Sequence, residues 1–203
     1  ISVKKSGVKN ANLLVRIPGW VRNQVVPSDL YKYSDAEKPA YTVTVNGKAV
    51  EANLDANKGY FPVKNIKKGD VVRIHFDMPI RTVVANAKVA DDKGKVAVER
   101  GPLVYCAEAV DNGGDPVLRA VVAKKPTFSL VDNYSIQNTE TKGAPAFSVK
   151  AIKTDAQVLE EGANGTVSVK NQKLTLIPYY AWNHRGANQM NVWFYQNLSV
   201  LDK

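Results

Sequence analysis

The sequence predicts an all-β chain made of two consecutive antiparallel β-sandwich domains, of jelly-roll or immunoglobulin-like type. Three observations point there. Candidate strands recur about every ten residues with turn residues between them, apolar residues alternate with a period of two, and no segment keeps a convincing helical period. The composition permits it: 203 residues, 44% hydrophobic and 23% charged, belong to a chain with a core of its own rather than a disordered one.

The elements follow in chain order. Residues 41–45 (YTVTV) alternate faces, Asn46-Gly47 supplies two residues tolerant of positive φ, and residues 49–52 lead away, which is a hairpin signature. Residues 71–78 (VVRIHFDM) put Val72, Ile74, Phe76 and Met78 on one face and Arg73, His75 and Asp77 on the other, the pattern of an antiparallel strand with one wet face. Residues 96–108 hold two β-rich runs divided by Arg100-Gly101-Pro102, read as a bend or bulge because proline cannot donate to a ladder, and a bend there would steer the chain between domains. Further strands are expected over 117–123, 147–152, 166–169, 173–177 and 190–195, with Lys170-Asn171-Gln172 as a hairpin link. Residues 156–161 have the length of a turn of helix, stopped by Gly162. Two irregular stretches, 21–39 and 132–145, are of a length that usually serves function or packs on another element. The polar segment 86–94 marks the boundary. It gives one domain over 1–90 and another over 91–203, with the last strand, about 190–200, able to return to the first.

The chemistry-bearing residues are few. The net charge is +9, yet the lysines come in ones and twos (Lys4-Lys5, Lys67-Lys68, Lys124-Lys125) without a stripe or a nucleic-acid-binding motif, so no nucleic acid is expected as a partner. The apolar runs are too short for a membrane span. A single cysteine, Cys106, excludes an internal disulfide and a thiolate-rich zinc site. Within LVYCA it reads as a small hydrophobe of a buried strand, since a nucleophile needs electropositive, partly exposed surroundings. His75 and His184 have no partners at ligand spacing. Glycosidase chemistry commonly uses two facing carboxylates, and the 19 acidic residues cannot be narrowed to such a pair. Glu99, beside Arg100, is read as an ion pair at a sheet edge. Gly113-Gly114 is a turn, and no phosphate-cradling glycine motif occurs. Trp193 is read as core. Trp20, Tyr180 and Trp182 are the candidate contacts for a sugar or a neighbouring domain, because large aromatics serve both purposes. The opening ISVKKSGVKN has no initiator Met and no signal core, so the chain is expected to be a piece of a longer one.

Three segments taken together resemble a known family. They are LLVRIPGW (13–20), VAVERGPLVYCAE (96–108) followed by Asp111-Asn112, and LIPYYAWNHRGANQMNVWF (176–194); VNGKAV (45–50) and KKGDVVRIHFDMPIR (67–81) fit the same pattern. The chain resembles the C-terminal part of family 127 of the glycoside hydrolases, the β-L-arabinofuranosidase-like group. The resemblance implies an N-terminal (α/α)6 barrel that holds the active site, followed by β-sandwich domains. It also implies a zinc-bound cysteine nucleophile and a nearby glutamate in that barrel. No segment here matches the barrel, so Cys106 does not inherit the nucleophile's role, and no catalytic, cofactor-binding or metal residue is expected in this chain. The expected function is non-catalytic: bracing the barrel, its partner, in a hydrolase releasing L-arabinofuranose. The alternative is a carbohydrate-binding module, with an oligosaccharide on an aromatic platform of Trp182, Tyr180 or Trp20. An extracytoplasmic home, periplasmic or secreted, suits a glycan-degrading parent.

Overall fold

A computed structural model of the chain describes residues 1–5, 7, 9–54, 58–114, 116–137, 146–162 and 164–198. Among them only strands and short 3-10 turns occur, so the chain is all-β. No helix is long and apolar enough to cross a membrane. The strands are β1 (Ala11–Arg16), β2 (Tyr31–Tyr33), β3 (Tyr41–Val45), β4 (Lys48–Ala49), β5 (Tyr60–Ile66), β6 (Val72–Phe76), β7 (Ile80–Ala85), β8 (Lys95–Arg100), β9 (Leu103–Glu108), β10 (Ala120–Val122), β11 (Phe128–Ile136), β12 (Phe147–Glu161), β13 (Val167–Pro178), β14 (Met190–Asn191) and β15 (Phe194–Tyr195). The chain divides into a first unit, Ile1–Ser28 with Asp35–Pro79, and a second, Asp29–Ser34 with Ile80–Lys203. The segment 86–94 joins β7 to β8 inside the second unit.

In the first unit β1 pairs with β5, and β4-β3-β6 make a three-stranded antiparallel sheet. The hairpin forms where Asn46-Gly47 calls for it. Val45 faces Lys48, and the two turn residues take φ of 53° and 81°, the pair of positive values that a type I′ turn needs to match strand twist. On β6 Val72 is buried while Arg73 and His75 are exposed, as the alternation requires. Both sheets feed one apolar cluster, with Val15, Phe61 and Val63 from one and Val43 and Val72 from the other.

In the second unit one sheet runs β14-β9-β13-β12-β10-β15-β8-β7-β2, and β9 pairs with β8 as well. The path therefore closes: β8, β9, β13, β12, β10 and β15 form a ring of six strands, where the sequence suggested an open sandwich. The closing contact is the two-residue turn Gly101-Pro102. Arg100 stands opposite Leu103 and Gly101 takes φ 59°, the positive value a type II′ turn demands at its first central residue. It is a hairpin turn within the unit rather than a bend between domains. Alternation then sorts the side chains. Val96, Val98, Tyr105, Ala107, Val122, Leu174, Leu176 and Phe194 belong to one cluster. Cys106 and Ile177, the intervening residues of β9 and β13, belong to another with Ile136, Val149 and Ala151. Strands buried on both faces read as continuous apolar runs, which accounts for LVYCA.

Several local expectations change. Residues 156–161 are strand, part of β12, because they lie opposite 167–172 on β13; six residues cannot offset the cost of nucleating a helix against a ready partner strand. Lys170-Asn171-Gln172 is mid-strand, opposite Ala156–Val158, and the turn comes earlier, where Gly162 N–H donates to Thr166 O. The stretch 21–39 contains β2, which pairs with β7. Residues 132–136 belong to β11, residue 137 follows it, and 138–145 lie outside the described residues. β14 and β15 pair with β9, β8 and β10, all in the second unit. Trp193 is half-buried, its ring 5.6 Å from that of Tyr31, and its neighbour Phe194 is the core residue.

Candidate functional site

The densest polar chemistry lies in the second unit, where β9 ends. Glu108 is the last residue of β9, and the 3-10 turn Ala109–Asn112 presents Asp111 and Asn112 next to it. The chain after a second 3-10 turn, Tyr179–Ala181, brings Arg185. The Arg185, Glu108 and Asp111 side chains are 7%, 0% and 3% exposed. Arg185 Nη1 and Nη2 donate to Asp111 Oδ1 and Oδ2, each at 2.5 Å, and Nη2 also to Glu108 Oε2. Tyr134 donates its hydroxyl to Asp111 Oδ1 at 2.7 Å, and Asn188 Nδ2 donates to Glu108 Oε1 at 3.2 Å. Asn112 completes the group: Nδ2 donates to the Glu108 and Thr175 carbonyls at 2.7 and 3.1 Å, and Oδ1 accepts from Thr175 N–H at 2.7 Å.

The electrostatics follow from enclosure. Burial works against the Arg185 charge, but its hydrogen bonds to Asp111 and Glu108 outweigh it and hold the guanidinium protonated beyond its ordinary range. Burial first, and then its bond to Asp111, pushes the Tyr134 hydroxyl up to about 12. Burial, reinforced by the Glu108 and Asp111 charges, pushes the Cys106 thiol up to about 12 as well. Carboxylates turned onto one guanidinium and closed to solvent cannot meet a substrate; they fasten the 179–189 segment to β9. The acids and the arginine both stand in the quoted segments, but 74 to 77 residues of chain separate them, and no local pattern announces such a pairing.

The aromatic candidates belong to different units, each with its own surroundings. Trp20 lies in the first unit, half-buried, edge-on to Phe76 at 5.7 Å and packed on that unit's core. Tyr180 and Trp182 share a loop of the second unit. Tyr180 is 61% exposed, while Trp182 packs on the outer cluster with its ring 5.6 Å from that of Tyr179 at an interplanar angle of 33°. His75 contacts Asp77 at 3.0 Å, and His184 lies edge-on to Phe147. Glu99 accepts a hydrogen bond from Tyr33 at 3.1 Å, and burial raises its carboxyl against the opposing pull of Tyr33 and Arg81.

Comparison with known proteins settles the family. Residues 1–78 match the model "Beta-L-arabinofuranosidase, GH127 middle domain", and residues 80–195 match "Glycoside hydrolase family 127 C-terminal domain". The chain belongs to glycoside hydrolase family 127. It is similar to the "Non-reducing end beta-L-arabinofuranosidase" of Bifidobacterium longum subsp. longum, with 33% identity over 184 residues, 88% of this chain and 25% of the relative. Among solved structures it is similar to a family 127 beta-arabinofuranosidase at 45% identity and TM-score 0.81, over 96% of this chain and 29% of that one. A second, the family 127 beta-L-arabinofuranosidase from Geobacillus stearothermophilus T6, gives 28% identity and TM-score 0.68 over 92% and 26% of the two chains. This family 127 chain thus spans about a quarter of the length of its curated relative. The zinc that family resemblance implies for the barrel does not fit the donors found here. Among the described residues no three His, Cys, Asp or Glu side chains converge, and the Cys106 thiol is fully buried and strongly protonated.

Proposed function

We propose that this chain is the non-catalytic β region of a β-L-arabinofuranosidase-like hydrolase, bracing an (α/α)6 barrel that carries the zinc and the chemistry. The observation that carries the proposal is the tandem match, a middle-domain model followed at once by a C-terminal-domain model, over about a quarter of a known arabinofuranosidase. The inert setting of Cys106 supports it, because a nucleophilic thiol must ionise near neutrality. In this reading both parts support the barrel: 1–78 stacks two sheets on one core, and 80–195 closes six of its strands into a ring. The parent works outside the cytoplasm on arabinose-containing oligosaccharides. Incubating this chain with an aryl β-L-arabinofuranoside tests the non-catalytic part. The expected result is release no faster than in buffer; saturable turnover overturns it.

A second reading is favoured by one observation, the exposed Tyr180 beside the tilted Tyr179–Trp182 pair. Such rings can stack on sugar C–H faces. In that case arabino-oligosaccharide binding disappears in Tyr180→Ala.

A further inference from the structure

We propose that a groove in the second unit, formed by β10, β12, β13 and residues 196–198, is a binding site for a small neutral saccharide. It offers about 870 Å³ of space open to solvent on one side, a size in the roughly 300–1,000 Å³ range of small-molecule sites.

The lining follows from strand register. Asp155 stands opposite Lys173 and Gln157 opposite Asn171, and alternate residues of a strand share a face, so these four polar side chains stand together. Each pair is closed across the strands: Lys173 Nζ lies 2.6 Å from Asp155 Oδ1, and Gln157 Nε2 donates to Asn171 Oδ1 at 3.2 Å. Val121, opposite Gln157 on β10, is buried on the same face, and Leu198 contributes a further apolar contact.

This chemistry narrows the ligand. The one cation and the one anion compensate each other, so the groove selects neither a phosphate nor a metal ion. An ion pair and two carboxamides disfavour a lipid chain, whose burial would strip them of water without replacement bonds. Beyond their mutual bond, the Gln157 side-chain carbonyl and the Asn171 amide hydrogens offer an acceptor and donors to sugar hydroxyls, and Leu198 offers apolar surface to ring carbons. A small uncharged polyol ring satisfies all of this at once. The site owes nothing to the bracing role, so either proposal can fail without the other.

The test is an NMR titration of the 15N-labelled chain with L-arabinose, with glycerol as the control. Saturating shifts are expected at the Gln157 and Asn171 side-chain amides and at the Val121 amide, with a Kd of about 1 mM, and none with glycerol. Gln157→Ala and Asn171→Ala change partly or fully exposed positions, and each is expected to weaken binding about tenfold, the worth of a lost hydrogen bond. Unchanged resonances elsewhere in the spectrum verify that the variants are folded. Shifts that never saturate, equal shifts with glycerol, shifts centred on Tyr180 and Trp182, or undiminished affinity in both variants overturn the proposal.

Discussion

In the first unit Asp70 accepts hydrogen bonds from Asn46 Nδ2 at 2.9 Å and from the Lys67 amide at 2.8 Å, while Asn46 Oδ1 accepts from Val71 N–H. In the second unit Glu108 and Asp111 accept from Arg185, Asn188 and Tyr134. Both groups tie a turn to strand backbone through acids, yet only the second bonds its acids directly to a cation, the Lys67 charge adding a minor pull on Asp70. Asp70 lies beside the β3–β4 hairpin and is itself buried, only 7% exposed. Neutral dipoles, Asn46 first and then the Lys67 backbone, hold its carboxyl below the ordinary carboxylate range. Glu108 and Asp111 are enclosed, and an enclosed carboxylate without a counter-charge is far costlier than an unpaired neutral group. Both knots are buried, so depth alone does not decide which carries charge. Asp70 is met by an amide and a carboxamide, whereas Glu108 and Asp111 share one guanidinium, which commits the segment that supplies it.

The largest expected effect breaks the comparison at its charged end. Arg185→Leu leaves two buried carboxylates on one unanswered site, and should cost about 3–5 kcal/mol of stability. Thermal melts followed by NMR should show second-unit resonances lost first. A loss below about 1 kcal/mol would mean that the acids simply take up protons and that the knot is not a charged one. Arg185→Lys should recover little, because an ammonium cannot replace a two-pronged guanidinium.

The alkaline limb comes next. Unfolded Cys106 ionises near 9.0, whereas the folded thiol keeps its proton to about 12. The unfolded chain therefore binds fewer protons across that window, and stability falls as pH rises from about 9 to about 12, by a few kcal/mol in all. Tyr134, also held up to about 12, adds to the same limb. Urea titrations across this range should show a slope that Cys106→Ala flattens. An unaltered slope would remove the thiol from the account.

The acid limb belongs to the first unit. The depressed Asp70 carboxyl adds stability that is fully present above its unfolded value of 3.8 and is lost as pH falls through the lower folded value. Asp70→Asn should blunt that acid loss and leave the alkaline limb untouched. Smallest of all is the surface pair Arg119–Glu161, at 3.1 Å with both side chains about half exposed. Arg119→Ala should change stability by less than about 1 kcal/mol, and by less still in high salt.

These contrasts show which parts of the molecule were readable in the sequence. The β3–β4 hairpin and β6 are local: an Asn-Gly turn and a two-residue alternation carry all the information, and the structure follows them. The Lys170-Asn171-Gln172 stretch looked like a turn because three polar residues in a row resemble one. It is strand because Ala156–Val158 runs alongside it, a partner no window of sequence displays. The same long pairing keeps 156–161 from helix. Ring closure rests on Gly101-Pro102, whose glycine at the first turn position was a usable signal, masked by the attention proline draws. The acid–arginine knot and the groove both join residues through register rather than through sequence neighbourhood. Cys106 was legible because apolar residues flank it on both sides. The packing of Trp182 against Tyr179 was not, since composition carries no address.

Asn112 has a consequence for how β9 and β13 stay together. Its carboxamide offers Thr175 the donor and acceptor that a residue of a neighbouring strand would offer, while true pairing of β13 with β9 is confined to Ile177 and Pro178. One side chain thus stands in for a strand that is not there. The Thr175 amide should exchange with deuterium as slowly as those inside the ladder. Asn112→Ala would leave that amide and carbonyl buried without partners, so a single asparagine keeps the seam between β9 and β13 shut.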